Sequence, residues 1–133
     1  MRAGTTTAYS FGDDEKQLDE YAWFDGNAFD SGKQYSHKVG LKKPNPWGLF
    51  DMHGNVWEWY SDWYSDSLPG GTDPVGPGGG SDRVLRGGSW WDYPDGCRSA
   101  YRFLHDPADR DNDDPSARND LMGFRVARSL SAQ

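Results

Sequence analysis

Large aromatic side chains alternate with other residues between positions 55 and 64, where the chain reads NVWEWYSDWY. Trp57, Trp59 and Trp63 fall on one face of an extended chain, and the residues between them fall on the other face. A period of two with many rings favours a β-strand over a helix. This segment is therefore the clearest predicted strand of the protein.

The rest of the chain predicts short elements between long loops. Residues 15–21, EKQLDEY, follow Asp13 and Asp14, either of which can cap the first turn of a short helix. Further strands are predicted at 37–41, 83–90, 97–103 and 123–129. Residues 65–82 form a loop rich in Gly and Pro, and residues 104–122 form a polar, acidic loop. We predict a single α+β domain over 1–133, loop-rich, with a small, mainly antiparallel sheet and little helix.

Composition narrows the class of protein. A net charge of −7 with only 35% hydrophobic residues is typical of disorder, but aromatic residues make up 15% of the chain, and disordered chains are poor in rings. Nucleic acid is not an expected partner, because such partners require clustered Lys and Arg. The sequence shows no signal peptide and no apolar run near the roughly 20 residues of a membrane span, so it indicates no compartment.

Five segments carry a resemblance to a known family. The motifs follow one another along the chain: RAGTTTAYSFGDD (2–14), NPWGLFDMHGNVWEWYSDWY (45–64), DRVLRGGSW (82–90), CRSAYR (97–102) and GFRVARS (123–129). In this order they resemble the formylglycine-generating enzymes, also called sulfatase-modifying factors. The resemblance implies a variant of the C-type lectin fold. It covers about the C-terminal half of a family domain, so we expect a domain truncated at its N-terminus.

The resemblance also implies a structural calcium site. In the family, a segment like DMHGNVWE supplies two side chains and two backbone carbonyls to the ion. Asp51 and Glu58 would give the side-chain oxygens here, and Gly54 and Val56 the carbonyls, which suits the oxygen shell of calcium. The alternative is a pair of carboxylates held by backbone amides and Arg side chains without a metal. His53 is expected to be exposed and not a ligand.

Family enzymes that make formylglycine bind copper through two cysteines after the GGS strand. This chain has one cysteine, Cys97, and Asp92 or a neighbour stands where the first would fall. Because a thiolate pair is what suits Cu(I), we expect no copper and only a weak catalytic candidate in Cys97, a small residue half-buried on a strand. A sulfatase-activating, oxygen-dependent oxidase is the alternative function. The sulfoxide-synthase relatives are disfavoured, since their three-histidine iron site has no counterpart in the scattered histidines.

A second resemblance lies within the first. The spacing of fixed residues between 86 and 126, from RGGSW to GFRV, resembles the variable proteins of diversity-generating retroelements, which use the same lectin-type fold. Each residue at the intervening positions can arise by changing the two adenines of an AAC codon; Trp91 does not fit this pattern. The candidate ligand-binding residues are Trp91, Asp92, Tyr93, Asp95, Tyr101, Phe103, Leu104, His105, Asp106, Asp109 and Asp111, and the pattern continues through Asn112, Asp113 and Asp114.

The sequence thus predicts a monomeric, non-catalytic module whose ligand is a protein or a glycan. A third interpretation, a structural fragment that needs a partner half, stays open. The tryptophans of the 55–64 strand are interpreted as core, because the family keeps them whatever the substrate. Four arginines, namely Arg86, Arg98, Arg102 and Arg125, are expected to pair with acidic side chains.

Overall fold

The computed structural model describes residues 3–68, 70, 76–105 and 120–127 of the 133-residue chain. Its regular elements are short and widely spaced. They are a 3₁₀ turn Glu15–Gln17, helix α1 Leu18–Tyr21, strand β1 Trp57–Trp63, strand β2 Arg83–Arg86, a second 3₁₀ turn Pro94–Cys97, strand β3 Phe103–His105 and strand β4 Met122–Gly123. The loop-rich α+β architecture expected from the sequence is confirmed.

The four strands form one sheet in the order β3-β2-β1-β4. β1 pairs antiparallel with β2, with Glu58 opposite Arg86, and β2 pairs antiparallel with β3, with Leu85 opposite Phe103. β4 pairs with β1 in parallel, so the small sheet is mixed and not wholly antiparallel. This parallel edge brings the segment after Gly123 beside Glu58.

Four predicted strands differ from the structure. The 83–90 strand ends at Arg86, because Gly87 and Gly88 have φ +103° and +77°. Residues 37–41 do not form a strand, because Gly40 has φ +76° and the flanking Val39 and Leu41 are exposed. The 97–103 segment leaves the Pro94–Cys97 turn and becomes a strand only at Phe103. The 123–129 strand shrinks to Met122–Gly123, and residues 128 and 129 lie outside the described ranges. Short apolar alternation predicts a strand only where a neighbouring strand edge is available.

A hydrophobic core cluster is built mainly from the N-terminal arm and α1. The Asp14 side chain accepts a hydrogen bond from the Lys16 amide, which confirms the predicted cap of the first turn. α1 then buries Leu18 against Tyr9, Ala22 and Cys97. Among the described residues, no helix is long and apolar enough to cross a membrane.

Candidate functional site

The loop before β1 forms one wall of a cavity of about 420 Å³. All four predicted metal ligands line it: Asp51, Gly54, Val56 and Glu58. Arg125, from the segment after β4, lines it as well. The structure therefore brings the predicted ligand set together at one place, and adds a cation of the protein to it.

The backbone of this loop takes a left-handed conformation at three nearby positions. Asp51 has φ +53°, Gly54 +69° and Asn55 +69°. Such conformations cost roughly 1–3 kcal/mol at non-glycine residues and persist where the surroundings fix them. One such restraint is the Asn55 side chain, whose Oδ1 accepts from the His37 amide at 2.8 Å and whose Nδ2 donates to the His37 carbonyl at 3.1 Å. The loop is thus held in a shape that an unrestrained chain would not favour.

Asp51 has one carboxylate oxygen satisfied and one not. Oδ2 accepts a hydrogen bond from the Gly40 amide at 2.7 Å. Oδ1 is buried and has no hydrogen-bond partner. Because a buried carboxylate oxygen is costly without a donor or cation, the chemistry of this oxygen suits a cation. No group of three or more His, Cys, Asp or Glu side chains suited to a metal occurs in the described part of the chain, so a cation here would also need the loop carbonyls.

The Glu58 carboxylate forms an ion pair with Arg125. Arg125 Nη2 lies 2.5 Å from Glu58 Oε1, and Arg125 Nε lies 2.6 Å from Oε2, which is a two-pronged ion pair. Hydrogen bonding to Glu58 raises the pKa of Arg125 above its usual value. The metal-free alternative predicted for this segment is therefore realised at Glu58, whereas the Asp51 carboxylate fits the calcium hypothesis.

His53 is buried, not exposed as the sequence suggested, with 2% of its surface accessible. Nδ1 lies 2.8 Å from the Cys97 carbonyl, and Nε2 accepts from the Ser10 amide at 3.1 Å. The neutral ring with its proton on Nδ1 satisfies both partners, so His53 joins three separate segments. The sequence carried no signal for this role, because its partners lie more than 40 residues away.

His53 is expected to make stability fall on acidification. Burial lowers its pKa below the usual 6.5, so the unfolded chain binds the proton more readily than the folded one. Stability is therefore full above pH 6.5 and declines as pH falls, by at most about 1.4 kcal/mol per pH unit for one histidine. Burial also lowers the pKa of His37, which adds a change of the same sign.

Urea denaturation between pH 5.5 and 7.5 measures this slope. His53→Gln is expected to flatten it, because the variant lacks the buried imidazole. An unchanged slope in His53→Gln would contradict the assignment.

The candidate ligand residues fall into two groups. The first follows the GGS motif, where Trp91 and Tyr93 are 53% and 75% exposed. Trp91 leans on Phe29, with ring centroids 4.5 Å apart, while Asp92 accepts hydrogen bonds from the Ser89 amide and hydroxyl. Asp95 pairs with Arg98 at 2.7 Å. The frame under the exposed rings is therefore held by defined contacts.

The second group follows the first by about ten residues and packs on the tryptophan face of β1. Tyr101 and Phe103 lie 5.9 and 5.5 Å from Trp57, and His105 lies 5.8 Å from Trp59. Strand alternation points Leu104 to the opposite face. The remaining candidates, Asp106, Asp109, Asp111, Asn112, Asp113 and Asp114, lie outside the described residues.

The tryptophans of β1 behave as packing residues. Trp57 is buried at 6% exposure, and the half-buried Trp63 stacks under the Arg83 guanidinium at 3.4 Å. The interpretation of these rings as core holds at Trp57. Trp59 is half-buried, and with Trp57 it supports the second candidate group.

Within the described ranges, Arg98 pairs with Asp95 and Arg125 pairs with Glu58. Arg86 and Arg102 donate to backbone carbonyls and also lie over the rings of Tyr60 and Tyr64.

Cys97 lies at the end of the second 3₁₀ turn and is fully buried, so the expected half-buried strand position was wrong. A Cβ on Gly88 would lie 2.7 Å from its sulfur, which shows how closely the GGS segment covers it. Burial raises the pKa of the thiol far above its usual value. A neutral, enclosed thiol is a poor nucleophile and a poor metal ligand.

Residues that the sequence analysis missed are mainly supports. Asn45 Oδ1 accepts from the Trp47 and Leu49 amides, each at 3.0 Å, and shapes the approach to Asp51. Its position between two prolines in KPNPW was a signal of a tight turn. Phe29 under Trp91 and Arg125 beside Glu58 depend on long-range packing, which no local pattern reveals.

Comparison with known proteins identifies the family of the chain. The family described as "Sulfatase-modifying factor enzyme 1-like domain" matches residues 1–130. Serine/threonine-protein kinase pkn1 of Chlamydia pneumoniae is 41% identical over 93 residues, which are 66% of this chain and 14% of that protein. The formylglycine-generating enzyme of Streptomyces coelicolor is 38% identical over 104 residues, which are 76% of this chain and 32% of the enzyme.

A solved structure extends the comparison to the fold. Treponema denticola variable protein 1 superposes with a TM-score of 0.75 at 37% identity, covering 92% of this chain and 41% of that one. The fold and its loops thus define a C-type lectin-like module. The chain belongs to the sulfatase-modifying factor enzyme 1-like family. It spans less than half the length of each of these three relatives.

Proposed function

We propose that this protein is a non-catalytic ligand-binding module whose contacts come from residues 91–114. The observation that carries the proposal is the pair of exposed rings, Trp91 and Tyr93, on a frame held by Asp92 and Phe29. Rigid aromatic side chains give large contact area at low entropic cost, as they do in antibody loops. A protein or a surface glycan is the ligand class that such a face suits.

The similarity to Treponema denticola variable protein 1 also supports a ligand-binding function. It fits a retroelement-diversified face, in which the Gly-Gly-Ser segment and the buried core stay fixed while candidate residues change. A template repeat beside a reverse-transcriptase gene, matching codons 90–125 except at adenines, is the genomic observation that tests this part. A locus with neither feature would argue against it.

The state of the Cys97 thiol favours a ligand-binding module over a copper-dependent oxidase. A copper site of the formylglycine-generating type needs two thiolates, and this chain supplies one, which is buried and held neutral. Formation of an aldehyde on a cysteine-containing sulfatase peptide, in the presence of copper and oxygen, would overturn this reading.

A matched pair of double variants tests the binding face. A ligand is first selected on glycan and surface-protein arrays with the unmodified protein. Trp91→Ala/Tyr93→Ala is then expected to weaken binding at least about tenfold, since exposed aromatic anchors carry much of the energy of such interfaces. Trp47→Ala/Tyr35→Ala removes one exposed Trp and one exposed Tyr elsewhere, and should bind normally. Equal loss in both variants, or loss in neither, would contradict the assignment.

The same module would be stabilised by calcium at the loop before β1. Asp51 and Glu58 would hold the ion through side-chain oxygens, and Gly54 and Val56 through carbonyls. The unpartnered Asp51 Oδ1 and the left-handed backbone around it support this. The ion would be structural and would tie the 51–58 loop to the sheet.

A further inference from the structure

Arg125 makes a set of contacts that resembles the shell of a hard cation. Its guanidinium bonds both oxygens of Glu58, and it also donates to the Phe50 carbonyl at 3.1 Å and the Asp51 carbonyl at 3.0 Å. Carboxylate and carbonyl oxygens converging on one positive charge are what calcium also takes in proteins. The guanidinium therefore stands at the edge of the cavity that the loop forms.

Calcium and Arg125 cannot use Glu58 in the same way at the same time. The two-pronged pair occupies one lone pair on each carboxylate oxygen, facing the space between the prongs. An ion bound there would lie within contact range of a permanent positive charge, in a partly buried site where such repulsion is weakly screened. Calcium and the Arg125 guanidinium therefore compete for Glu58.

The exposure of the segment around Arg125 would allow the guanidinium to release Glu58. The Arg125 side chain is 37% exposed, and its neighbours Phe124 and Val126 are 76% and 86% exposed. Releasing Glu58 turns the guanidinium toward water without removing an apolar side chain from the core. Glu58 itself is only 15% exposed and stays in the wall of the cavity.

We infer that Arg125 is an internal competitor for the calcium site, which neutralises Glu58 in the metal-free protein and is displaced when calcium binds. This inference rests on the calcium part of the proposed function. It assigns Arg125 a task beyond bracing the sheet: it sets the calcium concentration at which the loop exchanges one cation for the other.

Calcium titration of four proteins tests the inference. Arg125→Gln is expected to lower the dissociation constant for calcium at least about tenfold relative to the unmodified protein, a factor equivalent to 1.4 kcal/mol. Arg98→Gln removes the same charge from a more distant ion pair and should leave it unchanged. In EDTA, Arg125→Gln should also lower the urea midpoint, and calcium should restore it. Arg125→Lys keeps the charge but not the two-pronged geometry. Its dissociation constant for calcium is expected to lie between those of Arg125→Gln and the unmodified protein.

The outcomes separate this inference from the calcium hypothesis. If Arg125→Gln binds calcium as tightly as the unmodified protein, Arg125 does not compete with the ion, and the inference is overturned. Weaker binding by Arg125→Gln would also overturn it, because Arg125 would then hold Glu58 in place for the ion. If neither protein binds calcium at millimolar concentration, both the inference and the metal site are overturned. Binding by Arg125→Gln alone would support the competition most directly.

Discussion

Gly54→Ala is expected to destabilise the protein by about 4 kcal/mol or more, which is a large part of the stability of an ordinary domain. A Cβ at this position would lie 2.1 Å from the Trp23 carbonyl oxygen. That oxygen cannot move aside easily, because it accepts the Asn55 amide at 2.7 Å. Gly54 is held as well, since its own amide donates to the Gly87 carbonyl at 2.8 Å.

Gly32→Ala is the matched control for this effect. Gly32 has φ +74°, close to the +69° of Gly54, but no atom lies within 4 Å of its built Cβ. The Gly32→Ala variant should lose only the stability that backbone strain costs, roughly 1 kcal/mol. Urea denaturation in EDTA compares the two variants without any contribution from metal. Similar losses in both would mean that the backbone conformation alone, and not the contact with Trp23, makes glycine necessary at position 54.

The sequence predicted β1 well, because alternation depends on local order and places Glu58 on the face opposite Trp57 whatever strand lies beside them. Asp51, Gly54, Val56 and Glu58, which the family resemblance implies as calcium ligands, line one cavity because they are close together in the chain. The Asp14 cap is local in the same sense. These features survive because they need little information from the rest of the chain.

The errors concern burial and partners, which are set by distant segments. His53 looked like a loop residue, since nothing near it in sequence shows that Ser10 and the Cys97 carbonyl will enclose it. Cys97 was placed on a strand because its neighbours alternate, but Pro94 starts a tight turn there. The parallel pairing of β4 could not be foreseen from a two-residue strand, and it is this pairing that places the Arg125 segment beside Glu58.

Calcium is expected to raise the melting temperature of the metal-free protein by about 5 to 10 °C. An ion that binds only the folded state adds about 2.7 kcal/mol when present at 100 times its dissociation constant. For a domain of this size each kcal/mol corresponds to roughly 2–4 °C or more. The gain arises because calcium satisfies the unpartnered Asp51 Oδ1 and fixes the left-handed loop. Thermal unfolding in EDTA and in millimolar CaCl₂ measures it.

Asp51→Asn separates the proposed ion from a general effect of salt. The amide keeps an oxygen for the Gly40 amide but lacks the negative charge, so the calcium-dependent rise should largely disappear. Asp62→Asn removes an equal charge from β1 and should keep the full rise. MgCl₂ at the same concentration should give less, because magnesium demands a smaller octahedral shell and sheds water reluctantly. A rise that persists in Asp51→Asn, or none at all, would mean that backbone hydrogen bonds and Arg125 hold this loop without a metal. Glu58 would then be a structural partner of Arg125 alone.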